Sequence, residues 1–163
     1  MGIDRMRSMF VAAIFALLVG APLAGRAQDK PADNMEILRE KIRADKKLLV
    51  AGNMELTESE AKGFWPIYDQ YQKDLEKLNR RIAKLLDSYA DDFRNKSLTD
   101  DKARKLIDEA LAIDRSEADL KSTYAPKLGK VLGARKVMRY LQVENKIRSV
   151  VRYDLVSGVP LVK

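Results

Sequence analysis

From Phe64 onward the chain places apolar residues at alternating steps of four and three: Phe64, Tyr68, Tyr71, Leu75, Leu78, Ile82, Leu85 and Tyr89. This spacing gathers side chains on one stripe of an α-helix, so it predicts one long helix running to about Phe93. Its start is written in Leu56-Thr57-Glu58-Ser59-Glu60. The threonine oxygen can accept from the Glu60 amide while the glutamate reaches back to the Thr57 amide, and Leu56 can fold over the first turn. A shorter, less amphipathic helix precedes it from about Asn34, carried by Ile37, Leu38, Ile42, Leu48, Leu49 and Val50 and ended by a left-handed residue at Gly52-Asn53. A second Leu-Thr pair, Leu98-Thr99, opens a third helix with Asp100 and Asp101 where the helix dipole favours acids. Ala103, Leu106, Ala110, Ile113, Leu120, Tyr124 and Val131 carry its apolar face, with one polar gap at Glu117. After a turn near Leu132-Gly133, a fourth helix turns Val137, Tyr140, Leu141, Ile147, Val151 and Leu155 inward until Ser157-Gly158-Val159-Pro160 stops it. No comparable stretch alternates as a strand would. The reading is all-α, with four helices.

Two prolines fall inside these periods, Pro66 and Pro126. An interior proline removes a ladder hydrogen bond and clashes one turn back, at a cost of about 3 kcal/mol, so each either bends its helix or divides it in two. Bent helices would give a curved slab. Beside the first proline, Trp65 and Ile67 point off the seam; Trp65 is either an exposed apolar contact for a partner or covered by the first helix.

The N-terminus departs from this pattern. MGIDRMR carries three charges, SMFVAAIFALLVGAPLAG carries none, and Gly25-Arg26-Ala27 offers small residues at a cleavage site. These are the parts of a secretory signal peptide, removed after Ala27, with no stable membrane span left behind. The organisation is then a signal peptide over 1–27, a polar lead-in over 28–33, an all-helical domain over 34–158 and a short tail over 159–163. Export permits disulfides, but the chain has no cysteine and must hold itself by packing.

Charge is unevenly spread. Residues 28–120 hold 18 basic and 21 acidic residues, whereas 121–163 hold 10 basic and 2 acidic. On the fourth helix Arg135, Arg139 and Lys146 follow one side, Arg148 and Arg152 another, and Lys136 lies beside them, with only Glu144 and Asp154 interrupting. Such a face is either solvated surface or a site for an anionic partner; the scarcity of acids favours the site. Nucleic acid would be the default inside a cell. Export points instead to unfolded or envelope proteins or an acidic sensor domain.

Catalytic chemistry is thinly supplied. The chain has no histidine and no cysteine, which removes most nucleophilic and borderline-metal sites. Asp91-Asp92, Asp100-Asp101 and Asp108-Glu109 are paired acids beside helix ends or on polar faces, where solvated charge explains them. The expectation is a protein that is not an enzyme and holds no cofactor or metal.

Two Leu-Thr helix starts 42 residues apart, behind a signal peptide, resemble the periplasmic Spy/CpxP family, marked by a repeated LTxxQ motif. The first copy carries Glu60 in place of glutamine; the second, Leu98-Thr99-Asp100-Asp101-Lys102, has lysine where the acceptor should be. The resemblance implies an antiparallel, cradle-like all-α homodimer in the periplasm, acting as an ATP-independent chaperone or a stress-response adaptor. The basic fourth helix and Trp65 would then contact clients. Two alternatives are an adaptor restraining one membrane sensor, and a metal-sensing or metal-buffering protein, against which the absent histidine and cysteine count.

Overall fold

The computed structural model describes residues 31–162, and every regular element among them is an α-helix. These are α1 (Pro31–Met54), α2 (Glu58–Arg94), α3 (Asp100–Gly129) and α4 (Ala134–Val156). The expected signal peptide lies outside the described residues. α1 begins at Pro31, ahead of the expected Asn34, because a proline at the first helical position gives up an amide that would have no partner there.

α1 is two helical pieces joined at a kink. Its backbone leaves the helical region at Asp45 (φ −163°, ψ 98°), and the Asp45 carboxylate accepts from the Leu48 amide at 2.9 Å, capping the second piece. The helix ends later than Gly52-Asn53 suggested, with Glu55 supplying the left-handed residue (φ 47°). At α2 the capping box is complete: Glu60 N–H donates to Thr57 Oγ1 at 3.3 Å, and Thr57 N–H to the Glu60 carboxylate at 2.8 Å. Thr99 caps α3 with half of this device, accepting from the Lys102 amide at 3.4 Å. α2 closes with a paired turn in which Ser97 N–H reaches Asp92 O and Lys96 N–H reaches Phe93 O, with Lys96 left-handed. Both prolines are exposed, and α2 and α3 run on through them. The interruption in the described helices is at Asp45, where no proline stands.

Cross-helix pairs fix the arrangement. Asp74 with Tyr124 and Arg81 with Glu109 make α2 and α3 an antiparallel hairpin. Lys46 with Glu144 and Arg139 with Glu55 lay α4 antiparallel to α1. Lys136 with Glu60 and Arg148 with Asn79 run α4 parallel to α2. α4 also reaches α3, through Arg148 to Glu117 and Arg152 to Asp114, so α4 and α2 each touch the three other helices.

The core gathers Phe64, Tyr68, Tyr71, Leu75 and Leu78 of α2, Val50 and Met54 of α1, Tyr124 and Leu128 of α3, and Val137, Tyr140 and Ile147 of α4. Tyr140 meets Phe64 and Tyr71 edge-on, at ring-centroid distances of 5.3 and 5.9 Å. Burial of a side chain such as Phe64 stabilises by about 1.5–3 kcal/mol. Gly63 is where the α3–α4 turn comes close: an added Cβ would stand 2.8 Å from Val131.

Three expectations for α4 and α3 change. Leu155 is exposed and Val150 is buried instead. The polar gap at Glu117 is no gap, because that carboxylate is itself buried. Glu144, read as an interruption of the basic run, is fully buried, and Arg148 is buried with Glu117.

Candidate binding surfaces

The six basic residues of α4 do not form one surface. Arg148 points into the interior, where Nη2 donates to Glu117 at 2.8 Å and Nη1 to Asn79 at 2.7 Å. Lys121 donates to the other Glu117 oxygen at 3.1 Å. Burial pushes the Glu117 carboxyl up, but the bond and charge of Arg148, helped by Lys121, more than reverse this and hold it at about 2. Lys136 is committed to the start of α2, bonding Glu60 at 2.5 Å and Glu55 O at 3.0 Å. Together with Thr57 it keeps the Glu60 carboxyl below its usual range. Arg152 is held by Asp114, and Arg139 lies 3.2 Å from Glu55. Arg135 and Lys146 are exposed and make no ion pair among the described residues. Arg139 and Lys146 line a shallow cleft of about 500 Å³ between α1 and α4, with Leu49, Gly52, Gln142 and Val143.

The interior holds a second ionic group. Lys46 donates to Glu144 at 2.6 Å and to Gln72 at 2.9 Å, bridging α1, α4 and α2. Burial lowers the Lys46 ammonium, and Glu144 opposes that shift. The sequence signal for both acids was periodicity. Glu144 lies between Tyr140 and Ile147, and Glu117 between Ile113 and Leu120, at the same steps as the apolar residues around them.

Trp65 is half-buried against the core, edge-on to Phe64 at 4.9 Å, with the Lys47 ammonium of α1 5.1 Å from its ring. The first helix thus covers part of the ring, and the rest of it stays exposed. Leu56 is half-buried beside the core, as a residue folded over the first turn of α2 should be. Leu98 lies at the other end of the molecule, in the lining described next.

That lining is the apolar feature the sequence pattern did not single out. Between residues 83 and 112 no side chain is buried, and α4 stops at Val156 while the α2–α3 hairpin continues. Two adjoining cavities of about 370 and 340 Å³ share Leu85, Leu86 and Ala110 and form one trough along the hairpin. The first is bounded by the end of α4 at Tyr153, Leu155 and Val156; the second by Leu98, Leu106, Ile107 and the tail residues Val159–Val162. Ile107 and Leu111, one turn apart on α3, are 57% and 50% exposed. The available signal was the width of the α3 apolar arc: Ile107 and Leu111 lie off the Leu106–Ala110–Ile113 seam and widen it beyond what one neighbour can cover.

Comparison with protein families, curated proteins and solved structures returns no match. The chemistry of the surfaces is therefore the guide to what they do. Among the described residues no three His, Cys, Asp or Glu side chains come together to hold a metal ion. No described helix is long and apolar enough to cross a membrane.

Proposed function

We propose that this chain is an exported, periplasmic, ATP-independent chaperone-like or envelope-stress adaptor protein that binds unfolded or partner proteins by surface contact and without catalysis. The observation that carries the reading is the trough: contiguous Leu, Ile, Val and Tyr side chains left half-covered at the open end of the α2–α3 hairpin. Apolar surface kept accessible costs solubility and favours aggregation, so its retention marks a surface that is meant to be covered by something else. Export, periplasmic location and a homodimer enter on the signal-peptide reading and the Spy/CpxP resemblance. The exposed cations Arg135, Arg139 and Lys146 lie toward the other end of α4 and supply long-range attraction, which salt weakens, ahead of apolar contact.

The test is aggregation of several unrelated unfolded proteins in the presence of the mature chain. The parent should suppress it. Ile107→Asp, which places a charge in the trough lining, should remove most of the effect while leaving helical content unchanged, since this side chain is half in water. Arg135→Glu, Arg139→Glu and Lys146→Glu together should slow capture and reduce its salt dependence. A parent that protects none of the substrates would overturn the chaperone reading, and protection of one alone would favour the single-partner adaptor.

A further inference from the structure

After α4 the chain does not leave the molecule; residues 159–162, neither helical nor strand, form one wall of the trough. Tyr89, at the rim, donates its hydroxyl to the main-chain carbonyl of Pro160 at 2.7 Å. Val159 is half-buried, but Leu161 and Val162 keep 87% and 66% of their surface in water. A cavity of about 340 Å³ stays open between this tail and the hairpin. Among the described residues the tail is thus seated on the hairpin by one hydrogen bond and little apolar contact, and it leaves space beside it unfilled.

The recognition chemistry is specific in kind. The hairpin offers carbon over nearly all of the lining and one phenol whose partner is a backbone carbonyl. A non-helical polypeptide presents such a carbonyl at each residue and carries apolar side chains to fill the space. The methylenes of an acyl chain would fill the carbon but offer Tyr89 no acceptor, and a fatty acid has one only at its carboxylate end, whereas a polypeptide has one at every residue. We propose that the trough is a docking site for a non-helical, apolar segment of another polypeptide, and that Val159–Val162 is a tethered stand-in which the incoming segment displaces. This rests on the protein-binding reading above and adds where binding occurs and what restrains it. A tethered segment competes at an effective concentration in the roughly millimolar range, so weak seating is enough to keep the trough from binding indiscriminately.

The probe is a fluorescently labelled peptide with the sequence of residues 157–163, SGVPLVK, followed by anisotropy against the mature parent chain and its variants. A chain ending at Ser157 should bind it about tenfold more tightly than the parent, because the competitor is gone. The full-length Val159→Asp variant should also bind more tightly, which keeps the test decisive if the shortened chain fails to fold. Tyr89→Phe in the Val159→Asp background should weaken peptide binding by about fivefold, the worth of one hydrogen bond. Equal affinity for parent and both tail variants overturns the proposal, as does indifference to Tyr89→Phe. Displacement of the peptide by dodecanoate at concentrations where unlabelled peptide does not displace it would assign the trough to acyl chains and likewise overturn it. A parent that suppresses aggregation while its tail variants leave peptide affinity unchanged fails this inference alone, and the wider binding reading stands.

Discussion

Replacing Glu117 with glutamine keeps the shape of the side chain and removes its charge, leaving the Arg148 guanidinium without its counter-ion. The Arg148 and Glu117 side chains are 5% and 10% exposed, and Arg148 Nε has no hydrogen-bond partner among the described residues, so water cannot take over the missing charge. Breaking a buried pair from one side costs about 3–5 kcal/mol. Asn79 retains its bond to Nη1 and the glutamine carbonyl can still accept from Nη2, which places the expected cost at the lower end, about 3 kcal/mol. For a chain of this size that corresponds to a drop of about 6–12 °C in Tm. The double variant Glu117→Leu with Arg148→Met removes both charges and should lie within about 1 kcal/mol of the parent. Urea unfolding followed by circular dichroism at 222 nm measures all three proteins. If Glu117→Gln costs less than about 1 kcal/mol, as an exposed ion pair would, then Arg148 is solvated and the interior assignment of that face of α4 is wrong.

The same pair sets an acid limit: the folded Glu117 carboxyl is held at about 2 against an ordinary 4.5, so its stabilisation is complete above about pH 4.5 and is lost as pH falls toward 2. Acid titration of helical signal should show this loss, and it should shrink in the Glu117→Leu, Arg148→Met double. Thr57→Ala should destabilise by about 1 kcal/mol and Thr99→Ala by no more, since Lys102 cannot complete the second box; a Thr99 variant much costlier than the Thr57 one in the same melts would contradict the cap assignments. Gly63→Ala should lower Tm, because a methyl 2.8 Å from Val131 costs about 1–3 kcal/mol and outweighs the gain in helix propensity. Gly52→Ala, with open space around the added carbon, should raise stability by about 0.5–1 kcal/mol.

Helix starts and seams were legible because they depend on neighbours three or four residues away. The Thr57 box and the α2 stripe from Phe64 to Ile82 stand where the spacing placed them. What the spacing could not carry was the identity of partners across helices. Glu117 and Arg148 are 31 residues apart, and Lys46 and Glu144 are 98 apart. A charged residue on an apolar stripe reads as a flaw until its counter-charge is brought to it. For the same reason the basic count of α4 overstated its basic surface, since Lys136, Arg148 and Arg152 are taken up by acids on α2 and α3. The kink at Asp45 left only a local trace, an aspartate three residues before Leu48 inside a long helix. The trough was illegible for a different reason: whether a wide apolar arc is covered depends on how far the neighbouring helices extend.

Because α4 ends at Val156 while the hairpin continues, the two ends of this molecule should not open on the same timescale. Amides near Tyr71 and Tyr140 lie among helices tied through the interior and can exchange with solvent only when most of the fold gives way. Those between residues 83 and 112 belong to two helices supported mainly by each other, and partial opening there exposes little that was buried. The hairpin tip can therefore breathe on its own while the rest of the protein stays shut, and the separation between its strips of Leu and Ile can adjust to whatever lies between them. A scaffold braced by four helices at one end thus carries a two-helix, adaptable jaw at the other.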